Sequence, residues 1–165
     1  MKRIMLIIIS VVMIFTACKE SSPEQIDNEE NFNGITFGMT KEEIITILSK
    51  NSDYEDEYGI EFKNQIFLNV TTDSVFYYFD ENGTMDSIFA FYMYLDESAK
   101  EQMPIDLDHI KEELSKYYPE YPEKTRTYTY ENGEALSLHT ENRHISLRIY
   151  DHSFSVTITT KDESE

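Results

Sequence analysis

Few residues in this chain could carry out chemistry. Its 165 residues include one cysteine, Cys18, and four histidines. A single thiol excludes disulfides within the chain and metal sites built from several thiolates. His139 and His144 could share one face of a sheet with Arg148, but a zinc or transition-metal site needs three or four ligands at fixed distances. We therefore predict no metal and no cofactor.

Sequence motifs of catalysis are also absent. The sequence contains no Gly-rich phosphate loop, no His-Glu-x-x-His and no Gly-x-Ser-x-Gly. Its 32 acidic residues are so numerous that neighbouring carboxylates occur by chance, so no pair stands out as general acid and base. We predict that the protein is not an enzyme.

The N-terminus has the pattern of a signal peptide. Lys2 and Arg3 precede an apolar run from Ile4 to Ala17, interrupted only by Ser10 and Thr16. As a helix this run would extend ~21 Å, which is short of the roughly 30 Å hydrocarbon core of a bilayer. We predict a signal peptide over residues 1–17 rather than a permanent membrane span.

The residues around Cys18 resemble a bacterial lipobox. Phe15, Thr16, Ala17 and Cys18 provide a bulky apolar residue, two small residues and the cysteine before which such signals are cleaved. The resemblance implies that Cys18 carries a diacylglyceryl group and an acylated amine, and two or more acyl chains anchor a protein stably. The Cys-Lys-Glu start is similar to signals that send lipoproteins to the outer face of the outer membrane. We predict a lipid anchor in the cell envelope.

The predicted mature chain is strongly acidic. Residues 1–17 contain two cations and no acids, so their removal changes the formal charge from −18 to −20. This charge argues against binding to nucleic acid, and it leaves the N-terminal lipid as the only predicted contact with the membrane. From Lys19 to Asn33 only Ile26 and Phe32 are apolar. We predict that residues 18–33 consist of the lipidated Cys18 and a flexible tether.

Two segments of similar sequence predict two helices. In the first, Thr40 can act as N-cap with Glu43 three residues later, before the apolar positions Ile44, Ile47 and Leu48. In the second, Ile105 to Lys116, Asp106 takes the place of Thr40, and residues 96–104 are interpreted as a short helical connector.

Each predicted helix leads into about four strands. Segments rich in β-branched and aromatic side chains follow both helices, at residues 59–63, 65–71, 74–80 and 84–95 after the first and at residues 125–131, 134–140, 143–151 and 152–160 after the second. Both sets contain an Asn-Gly hairpin signal, at Asn82-Gly83 and Asn132-Gly133. We predict an α+β fold made of two helix-plus-four-strand repeats, residues 34–95 and 96–165, whose helices pack on one face of antiparallel sheets.

Alternation along the strands predicts which side chains face away from the helices. In the second repeat the predicted outward residues include Thr127, Thr129, Ser137, His139, His144, Ser146, Arg148 and Tyr150. The run Ile88 to Leu95 is apolar or aromatic at every position, so alternation gives no clear answer there. We assign Phe89, Phe91, Met93 and Leu95 to the helix side, which would turn Tyr92 and Tyr94 outward beside Tyr78.

Parts of the sequence resemble a known family. Gly38, Met39, Thr40, Glu43 and Ile44, followed by Phe79, Asp80 and Gly83, match motifs of the SmpA/OmlA family of outer-membrane assembly lipoproteins, over residues 32 to about 95. Two such units in tandem are similar in plan to secreted β-lactamase-inhibitor proteins, whose joined sheets bind another protein. The resemblance implies a binding module.

The high aromatic content favours a role in protein binding. The chain contains 12 tyrosines and 10 phenylalanines, and tyrosine is well suited to interfaces. We predict a non-catalytic module that binds an envelope or secreted protein. The candidate contact residues are Tyr78, Tyr92, Tyr94, His139, Arg148 and Tyr150. Two alternatives stay open: a small-ligand carrier or enzyme with a cystatin-like curved sheet, and a protein that neutralises a basic toxin.

Overall fold

The computed structural model of the protein describes residues 30–161, which form two helices and ten strands. The helices are α1 (Lys41–Leu48) and α2 (Glu97–Tyr117). The strands are β1 (Tyr54–Glu55), β2 (Gly59–Lys63), β3 (Ile66–Phe67), β4 (Val70–Thr71), β5 (Ser74–Phe79), β6 (Met85–Met93), β7 (Arg126–Tyr130), β8 (Gly133–His139), β9 (Arg143–Tyr150) and β10 (Ser153–Thr160). The predicted signal peptide, Cys18 and most of the predicted tether lie outside the described residues.

Eight of these strands form one antiparallel sheet, which confirms the predicted α+β class. The order across the sheet is β1-β2-β5-β6-β10-β9-β8-β7, and β3 and β4 form a separate two-stranded sheet. The strands from residues 54–93 therefore occupy one side, and those from residues 126–160 occupy the other. They meet where β6 pairs with β10, over Ser87 to Met93 and Ser153 to Thr159.

Helix α1 begins as the sequence predicts. The main-chain N–H of Glu43 donates to the Thr40 hydroxyl, and the main-chain N–H of Thr40 donates to the Glu43 carboxylate, at 3.4 Å and 2.8 Å. This reciprocal pair satisfies N–H groups that have no partner within the helix. The helix ends at Leu48, because Ser49 adopts a left-handed conformation with φ of 49°.

Helix α2 corrects the predicted second helix and its connector. It is continuous over 21 residues, with Pro104 inside it, and its N-cap is Asp96 instead of Asp106. The Asp96 carboxylate accepts a hydrogen bond from the Ala99 N–H at 2.7 Å. The residues predicted as a separate connector are therefore the first two turns of the same helix.

The strands of the second half agree with the sequence prediction, and those of the first half differ in two places. Residues 65–71, predicted as one strand, form β3 and β4 joined by Leu68 and Asn69, which have φ of 49° and 61°. Two consecutive residues in the left-handed region reverse the chain, so a single strand cannot continue through them. The two-residue strand β1 was not predicted.

The Asn82-Gly83 turn joins β5 to β6 as predicted, but with a different geometry. Only Gly83 has a positive φ, of 77°, and its N–H donates to the Asp80 carbonyl at 3.0 Å. The register shifts between Tyr78 and Phe79, so a bulge accompanies the turn. This arrangement is that of a type I turn followed by a left-handed glycine.

One hydrophobic core lies between the helices and one face of the sheet. The helices contribute Ile44, Ile110 and Leu114, and all six central strands add buried side chains. Phe32, predicted to belong to the tether, is only 3% exposed, so the folded part begins before Asn33. Within residues 30–161, neither helix combines the length and the apolar character needed to cross a membrane.

Candidate binding surface

The sheet has a second face, opposite the core, which we call the outer face. Its members alternate along each strand with the buried core residues and follow from the registers of the paired strands. They comprise Glu61, Lys63, Ser74, Phe76, Tyr78, Ser87, Phe89, Phe91, Met93, Arg126, Tyr128, Tyr130, Ala135, Ser137, His139, His144, Ser146, Arg148, Tyr150, Ser153, Ser155, Thr157 and Thr159.

The half of the outer face formed by β5 and β6 carries an aromatic patch. We define this patch as Phe76, Tyr78, Phe89, Phe91 and Met93. The ring of Phe76 stacks on that of Tyr78, with centroids 6.1 Å apart, and contacts that of Phe89 at 6.0 Å. Tyr78 is 39% exposed and Met93 is 40% exposed. Adjacent, partly exposed apolar side chains of this kind mark interaction surfaces more often than scattered ones do.

The patch lies on the outer face because the side chains of β6 point to the opposite faces of the sheet from those that the sequence predicted. Ile88, Ala90 and Tyr92 face the core, with exposures of 1% or less, while Phe89, Phe91 and Met93 face outward. The predicted outward orientation of Tyr92 and Tyr94 is therefore wrong. A shift of one residue inverts every side chain of a strand, and this segment is apolar on both faces.

Tyr92 and Tyr94 can be buried because both hydroxyls find acceptors. The Tyr92 hydroxyl donates to the Phe67 carbonyl at 3.0 Å, and its ring stacks on Phe154 with centroids 4.4 Å apart. The Tyr94 hydroxyl donates to the Asp106 carboxylate at 2.8 Å. Burial raises the pKa of both phenols well above the ordinary value, and the Tyr94 phenol adds to the effect at Tyr92 as the Asp106 carboxylate does at Tyr94. Both residues belong to the core and are not available to a partner.

The other half of the outer face contains a polar hollow of about 230 Å³. Small side chains of Ala135, Ser137 and Ser146 form its floor, because larger residues on neighbouring positions stand above them. Its sides are Tyr128, Tyr130, His139, His144 and Arg148.

A serine and two histidines make close contacts at one end of the hollow. The imidazole rings of His139 and His144 stack with centroids 4.3 Å apart. The Ser137 hydroxyl lies 2.9 Å from Nε2 of His144 and 3.5 Å from Nε2 of His139. A Ser–His contact of this length could serve a nucleophile and its base. However, Ser137 lies on a strand paired on both sides, where main-chain N–H groups form the ladder and are not free to stabilise an oxyanion.

The two histidines do not form part of a larger ligand set. Among residues 30–161, no group of three or more histidine, cysteine or acidic side chains is placed to hold a metal ion. A stable zinc site requires at least three protein ligands.

The structure brings four of the candidate residues to the outer face. Tyr78, His139, Arg148 and Tyr150 are exposed there, and burial followed by the carboxylates of Asp56 and Glu61 raises the pKa of Tyr78. Tyr78 lies at the aromatic patch, whereas the other three lie in or beside the polar hollow.

The sequence analysis missed several residues of this surface. Tyr128 and Tyr130 face outward, and Thr127 and Thr129, predicted to do so, are on the core side, opposite Leu136 and Glu134. All five residues of β7 are exposed, so burial gave the strand no preferred phase. The Asn132-Gly133 dipeptide marks the position of this turn, but the two loop residues are Glu131 and Asn132, because Tyr130 pairs with Gly133.

No protein-family model, curated protein or solved structure matches this chain.

Proposed function

We propose that this chain is a lipid-anchored protein of the bacterial cell envelope whose outer face binds another envelope or secreted protein. The proposal rests mainly on the aromatic patch, which lies on a sheet face that the helices do not cover. Aromatic side chains and methionine are enriched in protein interfaces, and the neighbouring tyrosines supply apolar area with a polar tip.

The shape of this surface favours a protein over a small ligand. Pockets for small ligands enclose about 300–1,000 Å³ and bury most of the ligand. The polar hollow has about 230 Å³ and lies open on a sheet, and the aromatic patch beside it extends the surface further. A protein can contact both regions at once, which a small molecule cannot.

We also propose that the chain consists of two helix-plus-four-strand repeats. Each helix precedes four strands of the large sheet, and the last strand of each set lies at the centre, where β6 pairs with β10. This order supports an internal duplication, because it places equivalent strands symmetrically about the middle of the sheet.

The test is photo-crosslinking of the full chain in the cells that produce it. A photoreactive aromatic residue replaces Tyr78 in the aromatic patch, and in a matched chain it replaces Ile105, which is 50% exposed and lies on α2, on the opposite side of the sheet. We expect one protein to be crosslinked from position 78 and not from position 105. Equal crosslinking from both positions, or none from position 78, would contradict the proposal.

A second variant pair tests the same surface without a probe. Tyr78→Ser with Met93→Ser removes exposed apolar area from the aromatic patch, whereas Ile66→Ser with Ile105→Ser removes exposed apolar area from β3 and α2, outside the large sheet. The fragment from Lys19 to Glu165 is suitable, because it contains every core residue. We expect the crosslinked partner to bind the first pair at least about tenfold more weakly, a loss of about 1.4 kcal/mol. The free energy of unfolding of both double variants should lie within about 0.5–1 kcal/mol of that of the parent chain.

The lipid anchor is tested at Cys18. Growth with a labelled fatty acid should label the full chain, and Cys18→Ala should lose the label and its association with membranes. A Cys18→Ala chain that stays labelled and membrane-bound would contradict the proposed anchor.

A further inference from the structure

We infer that the polar hollow binds a carboxylate from an acidic segment of the partner protein, with Arg148 as its principal contact. This inference rests on the proposed function for the partner's being a protein. It adds the chemistry of the contact, which the aromatic patch alone does not specify.

The distribution of ion pairs singles out the outer face. Although the chain carries a formal charge of −18, not every cation among residues 30–161 has a carboxylate partner. The paired cations are Lys41, Lys50, Lys100, Lys111, Lys116, Lys124 and Arg143. Within that part of the chain, the cations with no carboxylate within 4.0 Å are Lys63, Arg126, Arg148 and Lys161, and the first three lie on the outer face.

Arg148 is positioned to receive a ligand at the hollow. It lies on β9, and its cross-strand neighbours are the small residues Ala135 and Ser155. The side chain is exposed, and its guanidinium group donates no hydrogen bond to another of the described residues. Arg126, opposite Ser137 on the edge strand β7, adds a second positive charge beside the hollow.

The surroundings favour a carboxylate as the ligand. A guanidinium group presents a rigid fork of N–H donors that matches the two oxygens of a carboxylate. Ser137 and Ser146 on the floor, and the hydroxyls of Tyr128 and Tyr130 at the side, offer further donors. A volume of about 230 Å³ is enough for an aspartate or glutamate side chain, since a water molecule occupies about 30 Å³.

A phosphate group is a poorer fit to the same hollow. Phosphate sites commonly use a helix N-terminus or free main-chain N–H groups, and here the main chain is engaged in the sheet ladder. Acidic residues of the chain that lie more than roughly 8 Å away are largely screened at physiological salt, so they do not prevent an anion from binding beside Arg148 and Arg126.

The test uses NMR on the isotope-labelled chain from Lys19 to Glu165. The probe is the capped peptide Ser-Glu-Val-Glu-Val-Ser, and its control has glutamine in place of both glutamates. We expect the glutamate peptide to shift the side-chain Nε–H signal of Arg148 saturably, with a Kd on the order of 1 mM. The Arg143 signal should not move, because that guanidinium already pairs with Glu30.

Substitutions separate the site from general charge. Arg148→Gln should weaken binding of the glutamate peptide at least tenfold. Binding to this variant is measured from the shifts of the main-chain NMR signals of Ser137 and Ser146. Lys161→Gln removes a cation that pairs with no carboxylate of residues 30–161 and lies about 20 Å further along the sheet, and it should change binding less than twofold. Because Arg148 is exposed, Arg148→Gln should keep the dispersed spectrum of the folded chain. Arg148→Lys, which keeps the charge, should weaken binding of the glutamate peptide less than Arg148→Gln does.

Three results would overturn the inference: equal shifts from the two peptides, unchanged binding by Arg148→Gln, or tighter binding of inorganic phosphate than of the glutamate peptide. Its failure is distinct from failure of the proposed function. A partner crosslinked at position 78 with no peptide binding would retain the function and reject the carboxylate site. Peptide binding with no crosslinked partner would retain the carboxylate site and reject the proposed function.

Discussion

The hydroxyl of Tyr94 donates a hydrogen bond to Oδ2 of Asp106 at 2.8 Å, which connects the residue after β6 to α2. The other carboxylate oxygen of Asp106 accepts from the side-chain amide of Gln102, also at 2.8 Å. Tyr94 is only 7% exposed, so its hydroxyl depends on this acceptor. Asp106 therefore attaches the long helix to the sheet instead of capping it.

We expect Tyr94→Phe to lower the free energy of unfolding by about 1.5 kcal/mol, because a hydrogen bond to a charged group contributes roughly 1.5–3 kcal/mol and Asp106 remains partly hydrated. Urea unfolding of Tyr94→Phe, Asp106→Ala and the double variant measures the coupling. A coupling of about 1 kcal/mol would establish the contact. Strictly additive losses would show that the two side chains act independently.

A second prediction concerns Tyr92, whose ring is 1% exposed. Tyr92→Phe should cost about 1–2 kcal/mol, because the Phe67 carbonyl loses its donor, and Tyr92→Ser about 3–5 kcal/mol, because it also leaves a cavity. Tyr78→Ser, the same change at an exposed site, should cost less than about 1 kcal/mol. Urea unfolding measures all three. Similar losses for Tyr92→Ser and Tyr78→Ser would place Tyr92 outside the core.

The features that the sequence predicts well are those with local causes. The Thr40–Glu43 capping box sets the start of α1 through contacts three residues apart. The four strands of the second half follow from alternation in β8, β9 and β10 and from a turn residue between strands. His139, Arg148 and Tyr150 were therefore placed on the correct face.

The features that sequence reasoning could not determine depend on distant partners. Tyr92 can be buried because the Phe67 carbonyl accepts a hydrogen bond from its hydroxyl. Phe67 lies on a two-residue strand, which is too short for the alternation of apolar residues to reveal. Asp96 and Asp106 are both chemically suitable N-caps. In the structure Asp96 caps α2, whereas the Asp106 carboxylate accepts a hydrogen bond from the Tyr94 hydroxyl. The aromatic patch was missed for the same reason, since its phase follows from that of Tyr92.

Stability should fall at alkaline pH because tyrosines are buried. Burial raises the pKa of Tyr77, Tyr92, Tyr118 and Tyr121 in the folded chain. In the unfolded chain they ionise near pH 10, so above that pH the unfolded state binds fewer protons than the folded state and its free energy falls relative to that of the folded state. This contribution to stability is complete below about pH 10 and is lost as the pH rises toward the folded values.

The expected slope is about 1.4 kcal/mol per pH unit for each such tyrosine. Urea unfolding at several pH values between 8 and 12 measures the slope, and the tyrosinate absorbance that comes from the buried tyrosines should appear together with the loss of structure. Tyr77→Phe should make the slope shallower by the amount of one tyrosine. A slope that Tyr77→Phe leaves unchanged would show that Tyr77 ionises equally in both states.

The two Asn-Gly turns should respond very differently to alanine. A Cβ at Gly133 would lie 2.0 Å from the Ile149 carbonyl oxygen, a main-chain atom of the paired strand, so Gly133→Ala requires β8 and β9 to separate locally. At Gly83 a Cβ would meet nothing within 4 Å, and only the positive φ of 77° opposes the change. We expect Gly83→Ala to cost about 1 kcal/mol and Gly133→Ala about 3 kcal/mol or more, by urea unfolding.

Because β8 carries Ala135 and Ser137, Gly133→Ala should also disturb the floor of the polar hollow, visible as shifted main-chain signals of Ser137 that Gly83→Ala leaves in place. Equal costs for the two variants would mean that β8 and β9 do not approach so closely at this turn.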